Sequence, residues 1–300
     1  AGDVEGAIGS YRRSLELSPE FLPSLYNLAL ILREAGRLDE AERFFRRVHE
    51  LAPGDVDALL HLGSLQMRSS AEEAARMFRR ALQLTPDSAY AHHQLGLACK
   101  KLGRTDEAML CYRKALELGP GVAEVHNDLA NLLQYEGRLD EAIGHYRDAV
   151  RFAPGFAIAH NNLGSALVRR GGLEEALACF RTSIELQPAV ADPHFNLGNV
   201  HSLLGERDRA LSCYREAARL RPEDAVVREG LLFELQNVCE WSQLAEFFEL
   251  RRSGVQQTGQ KGVLSHLRSG AAGRSESDDP GLRQALPGDR AEELHVPRVG

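Results

Sequence analysis

GFAIAHNNLGSALVRRGGLEEALACFRTSIELQP, residues 155–188, is the stretch whose reading decides the fold. Leu163, Ala166 and Leu167 are spaced three and four apart, so they share one face of a helix. Gly171-Gly172 breaks the pattern, which resumes with Ala176, Leu177, Phe180 and Ile184 and stops before Pro188. Glycine ends a helix readily, and proline cannot continue one. The segment therefore predicts two short helices joined by a tight turn.

The same wording recurs along the chain. Prolines stand at Pro19, Pro53, Pro86, Pro120, Pro154, Pro188 and Pro222, in steps of 34, 33, 34, 34, 34 and 34 residues. The turn glycine returns as Gly36, Gly103, Gly137, Gly171 and Gly205. Five residues on lies Ala41, Ala108, Ala142, Ala176 or Ala210, and four further an aromatic: Phe45, Tyr112, Tyr146, Phe180 or Tyr214. Leu28, Leu62, Leu95, Leu129, Leu163 and Leu197 each precede a small residue, Ala29, Gly63, Gly96, Ala130, Gly164 and Gly198. A fixed period of this size marks a solenoid of stacked helix pairs. The small residues let two helices approach closely, and the aromatic is expected to fill the gap between neighbouring units. The 53–86 unit is one residue short at Arg68-Ser69-Ser70 and lacks the glycine, which predicts a tighter turn with little change to the stack.

This pattern resembles the tetratricopeptide repeat over residues 1–222. The resemblance implies an all-α, right-handed superhelical solenoid of antiparallel helix pairs, with the first helix of each pair lining a concave groove. Residues 1–21 hold a half repeat, with Ala7, Tyr11, Leu15 and Pro19 of a second helix, and six repeats follow. After Pro222 the period fades. A degenerate capping helix pair is expected over residues 223–252, because the last unit must cover its open apolar face. Residues 253–300, rich in Gly, Ser, Arg, Asp and Pro and without an aromatic, are expected to be a disordered tail.

The formal net charge of −7 argues against general nucleic-acid binding, which needs a basic face. No run of 18 apolar residues is present, so no membrane span is expected. The five cysteines, Cys99, Cys111, Cys179, Cys213 and Cys239, form no CxxC pair and read as small packing residues in a reducing, cytoplasmic setting.

Two periodic features mimic chemistry. His92, His126, His160 and His194 recur every 34 residues. Equivalent positions of stacked helices lie about 10 Å apart, far more than shared metal ligation permits. No metal site is expected of this ladder, whose members are read as filling a bulky packing slot. The acidic pairs Asp39-Glu40, Glu72-Glu73, Asp106-Glu107, Asp140-Glu141 and Glu174-Glu175 open the second helices, where carboxylates face the positive end of the helix dipole. No catalytic residues and no cofactor are expected; the chain reads as a non-enzyme.

The candidate site is an amide-rich row. Immediately before the repeat leucine stand Asn27, His61, Gln94, Asp128, Asn162 and Asn196. One position earlier come Asn127 and Asn161, and two after the leucine Asn131 and Asn199. Asparagine is a mediocre helix former, so its repeated use inside helices needs a reason. A carboxamide offers both donor and acceptor and can hold the backbone of an extended peptide whatever its sequence. The expected partner is a protein or peptide in this groove; self-association through the convex face is also compatible with the architecture.

The row, and residues 235–242 (LQNVCEWS), resemble the repeat region of O-linked N-acetylglucosamine transferases and its junction with their catalytic region. That resemblance implies the substrate-recognition arm of a protein glycosyltransferase, with the catalytic half absent through truncation or a shifted reading frame and the chain a fragment beginning mid-repeat. A free-standing scaffold or adaptor is the alternative.

Overall fold

The computed structural model describes residues 4–238, which form helices joined by tight turns. α1 (Val4–Leu17) is a lone second helix. Six antiparallel pairs follow: α2 (Leu22–Glu34) with α3 (Leu38–Leu51), α4 (Val56–Gln66) with α5 (Ala71–Leu84), and α6 (Ala89–Lys101) with α7 (Thr105–Leu118). The later pairs are α8 (Ala123–Tyr135) with α9 (Leu139–Phe152), α10 (Ala157–Arg170) with α11 (Leu173–Leu186), and α12 (Ala191–Leu203) with α13 (Arg207–Leu220). α14 (Ala225–Val238) is the first helix of the expected capping pair; its second helix and the tail lie outside the described residues. Each helix packs on its neighbours in sequence, and α8, α10, α12 and α14 also touch in succession. Nearest-neighbour stacking of this kind is the physics of a solenoid.

The turn glycines do what the pattern requires. Gly36, Gly103, Gly137, Gly171 and Gly205 all have positive φ, between 72° and 90°. The residue after each closes a bond back to the helix: Arg37 N–H to Leu32 C=O at 2.8 Å, Arg104 to Cys99 at 2.9 Å and Arg138 to Leu133 at 2.8 Å. Gly172 to Leu167 and Glu206 to His201 repeat it, both at 2.9 Å. This six-to-one bond is the Schellman ending, and it needs a left-handed residue at the glycine. The short unit solves the turn without glycine. α4 ends two residues early, Ser70 N–H bonds Gln66 C=O at 2.8 Å, and the Ser70 hydroxyl caps α5 by accepting from Glu73 N–H at 3.3 Å. The stack continues through it.

Inside each hairpin the aromatic sits on the small residue after the leucine. A methyl group built on Gly63 would lie 2.7 Å from Phe78, on Gly96 2.4 Å from Tyr112, on Gly164 2.7 Å from Phe180 and on Gly198 2.9 Å from Tyr214. The ring is thus seated on its own first helix. It also reaches the next unit: Tyr214 comes within 3.2 Å of the same construction on Gly230 of α14. Phe45, Phe78, Tyr112, Tyr146, Phe180 and Tyr214 are all buried. The unit with the short turn keeps its aromatic at Phe78, one residue out of register with the rest.

The acidic pairs lie in the first turns of the second helices, as expected, and they also tie units together. Arg12 reaches Glu40 at 2.8 Å, Arg79 reaches Glu107 at 2.5 Å and Arg147 reaches Glu175 at 2.9 Å, each 28 residues on. These pairs are partly exposed, so each adds little by itself.

Gly137→Ala should lower the midpoint of urea unfolding by an amount equivalent to about 1–2 kcal/mol, because a side chain at this φ of 77° is strained. Gly144→Ala, where nothing lies within 4 Å, should be neutral or stabilising.

Candidate functional site

The amide row falls on the first helices and links each to the next. Asn162 Nδ2 donates to Asn127 Oδ1 at 2.9 Å and to Asn131 Oδ1 at 3.4 Å. Asn196 Nδ2 donates to Asn161 Oδ1 at 2.9 Å and to the Ser165 hydroxyl at 3.4 Å. The same register holds elsewhere with other chemistry. His93 Nε2 meets Asp128 Oδ2 at 3.0 Å, and Lys100 Nζ lies 3.6 Å from Asp128 Oδ1. Tyr26 and His61 pack ring to ring at 6.0 Å, and Phe195 sits against Gly230. In five steps of the stack, the residue before one repeat leucine faces the residue two before the previous one.

These short links hold consecutive first helices together. Two asparagines can bond only if their helices run close, whereas the second helices are joined through long Arg–Glu pairs. The first helices α8, α10, α12 and α14 touch in succession, and the amide row lies along this layer of first helices.

The expected site residues divide into three groups. Asn127, Asn161, Asn162 and Asn196 form the two carboxamide pairs. Each pair spends one NH2 and one C=O on itself, leaving the NH2 of Asn127 or Asn161 and the C=O of Asn162 or Asn196. Asn27 and Gln94 are half-buried in the same row; Leu60, opposite Gln94 in the register, has no polar group to offer. The remaining four are engaged in the scaffold. Asn131 Oδ1 accepts from the Tyr146 hydroxyl at 2.6 Å and Asn199 Oδ1 from Tyr214 at 2.8 Å. His61 Nδ1 pairs with Arg33 at 2.6 Å and its ring packs on Phe45 at 5.1 Å. Burial, helped by Arg33, pushes the His61 imidazole below its ordinary pKa. Asp128 is held between His93 and Lys100. Sequence reading missed these partners because they come from other helices.

Tyr112 completes the tyrosine pattern by breaking it. The position that supplies Asn131 and Asn199 is Leu97 in its unit, and the buried Tyr112 hydroxyl has no partner. The units with Phe45, Phe78 and Phe180 carry Leu30, Ser64 and Ser165 there. Tyr112→Phe should accordingly be neutral or stabilising, whereas Tyr146→Phe should cost about 1 kcal/mol by removing the short bond to Asn131. Parallel urea melts of the two variants would check this; equal losses would refute it.

The histidine ladder has a role other than the bulky packing expected. His92, His126, His160 and His194 each use Nε2 to bond the carbonyl of the repeat proline six residues earlier, Pro86, Pro120, Pro154 and Pro188, at 2.9–3.1 Å. Proline cannot donate, but its carbonyl still needs a partner, and the histidine supplies it from the next helix. Among the described residues the four ladder histidines do not gather into one group of metal ligands.

Cys99, Cys111 and Cys179 are buried, and Cys213 is partly buried; Cys239 lies outside the described residues. Burial raises the Cys99 thiol to about 12 and Cys111 and Cys179 to about 11. A raised thiol pKa leaves these groups protonated at neutral pH and poorly nucleophilic. At about pH 8, disulfide-reagent labelling of these three should be much slower in the folded protein than after unfolding in urea; equal rates would mean accessible thiolates. Among the described residues no helix is long and apolar enough to cross a membrane.

Comparison with known proteins agrees with this geometry. Models of the tetratricopeptide repeat family match residues 1–62, 89–121, 122–153 and 155–223, well over half of the chain. The chain belongs to the tetratricopeptide repeat family, and its fold is the all-α, right-handed superhelical solenoid of that family. A segment is similar to photosystem I assembly protein Ycf3 of Acaryochloris marina (strain MBIC 11017), 41% identical over a 68-residue alignment that covers 18% of this chain. The chain spans about two fifths of that relative's length. Among solved structures, the Cut9–Hcn1 hetero-tetramer of the APC/C matches with a TM-score of 0.66 at 16% identity, over 78% of this chain and 46% of that one. The MamA protein matches with a TM-score of 0.50 at 25% identity, over 57% of this chain and 93% of that one. As a tetratricopeptide repeat protein, the chain is a protein–protein interaction module.

Proposed function

We propose that the concave face holds an extended segment of a partner protein, read through its backbone. The observation that carries this is the composition of the two carboxamide pairs. Each keeps an NH2 group and a C=O group beyond those it uses internally, the donor and acceptor that one peptide unit requires. Successive pairs stand one repeat apart along the groove, so a single extended chain can engage both. Recognition of this kind tolerates many side-chain sequences. Of the basic residues near the row, Arg33, Lys100, Lys101 and Arg169, three are already engaged, which disfavours a clamp for peptide carboxylates: Arg33 with His61, Lys100 with Asp128 and Lys101 with the Met67 carbonyl.

Two settings suit such a module. The row and residues 235–242 resemble O-linked N-acetylglucosamine transferases, which favours the substrate-recognition arm of a protein glycosyltransferase. The similarity to a protein named for photosystem assembly favours a free-standing scaffold. Gene sequence on either side of the coding segment separates them: a glycosyltransferase region in any frame supports the first, unrelated sequence the second.

The groove itself is tested by selecting binders from a displayed random-peptide library and titrating them calorimetrically. Asn127→Ala with Asn162→Ala should weaken binding by about tenfold or more, the equivalent of one or two hydrogen bonds. Changing Arg147 on the second-helix side should leave binding intact. Unchanged affinity in the asparagine variant would overturn the reading.

A further inference from the structure

One unit of the histidine ladder differs from the others. In the unit from Pro120 to Pro154, the position that holds Cys111, Cys179 and Cys213 in three other units is His145. Three residues on, where those units have Lys114, Thr182 and Glu216, stands Asp148. His145 and Asp148 lie one turn apart on α9 and face His126 of α8.

The geometry points to a site for a borderline divalent transition metal ion, zinc being the reference case, formed by His126 Nδ1, His145 Nδ1 and a carboxylate oxygen of Asp148. Their ligand atoms lie within 4.8 Å of one another, and among the described residues this is the one such trio. His126 Nδ1 is 3.0 Å from His145 Nδ1 and 4.0 Å from Asp148 Oδ2. Tetrahedral zinc with bonds near 2.0–2.1 Å places its ligands about 3.3 Å apart, so the histidines open by about 0.3 Å and Asp148 closes on His126 by about 0.7 Å through side-chain rotation.

The surroundings orient all three groups. His126 is buried, and its Nε2–H donates to the Pro120 carbonyl at 2.9 Å. That bond fixes the tautomer and turns the Nδ1 lone pair toward His145, as outer partners of metal-bound histidines commonly do. Phe152 stacks on the His126 ring with centroids 5.6 Å apart. Arg151 takes Asp148 Oδ1 at 2.9 Å and leaves Oδ2 facing His126. The register equivalent in the next-but-one unit, His194, Cys213 and Glu216, lacks this feature, because Arg219 occupies both oxygens of Glu216. Without metal, the two imidazoles share one hydrogen bond; a bound ion replaces it, and the His145 ring proton moves to Nε2. The ion would join the start of α8 to the end of α9, the end of the hairpin opposite the Gly137 turn.

The test uses the whole chain with its thiols kept reduced. Zinc chloride should raise the melting temperature in a concentration-dependent way, with one ion bound per chain by calorimetry. Cobalt chloride should give visible absorption of a nitrogen- and oxygen-ligated ion without a sulfur-to-metal charge-transfer band. His145→Ala and Asp148→Asn should each weaken binding by about tenfold or more while circular dichroism stays unchanged, and His160→Ala should have no effect. No zinc-dependent shift, equal affinity in the two ligand variants, or a thiolate band would each overturn the assignment.

Discussion

The structure depends on the close approach of two helices at a residue with almost no side chain. Gly63, Gly96, Gly164 and Gly198 leave room for the ring of the second helix, and in these units a methyl group would sit inside van der Waals contact with it. Because the ring occupies that space, the hairpin has one register. Because the ring also reaches the next first helix, as Tyr214 reaches Gly230, each unit is aligned on its neighbour. The positive-φ turns and Arg–Glu pairs refine this stack. Burial of large aromatic surface, about 1.5–3 kcal/mol per side chain, is what makes it cohere.

The polar groups of the first-helix layer have two duties that are easily confused. Some complete the core: Asn131 and Asn199 answer buried tyrosine hydroxyls. Others bridge consecutive first helices, as Asn127 does with Asn162 and Asn161 with Asn196. The bridge orients each carboxamide by one hydrogen bond and leaves its other half unspent, so that under the proposed reading less ordering entropy would be lost on binding. The middle of the row departs from this design, with Asp128 held by His93 and Lys100. Under the proposed reading, a guest would meet backbone-reading amides toward α12 and a charged cluster before them.

Repetition also explains the histidines. A proline that ends each unit leaves a carbonyl without a helical partner, and an imidazole six residues later bonds it in four units. The bond uses Nε2 in each copy, and in His126 it turns Nδ1 toward His145 at 3.0 Å. Only beside α9 do a second imidazole and an aspartate stand opposite it, so a metal-binding arrangement arises by two substitutions on a repeated structural device.

Much of the fold was legible because it is written six times. Period, turn glycines and apolar spacing specify helix pairs without reference to anything distant, since backbone conformation at Gly137 or Pro154 is a local matter. The repeat class and the face carrying the amides follow from the same register. Side-chain pairing was not legible. That Tyr146 answers Asn131 while Tyr112 answers nothing, that His61 belongs to Arg33, or that His126 meets His145 depends on distances between different helices. Periodicity places equivalent residues on equivalent faces, but whether two polar atoms come within 3 Å is set by how closely the helices pack, and only tertiary structure decides that.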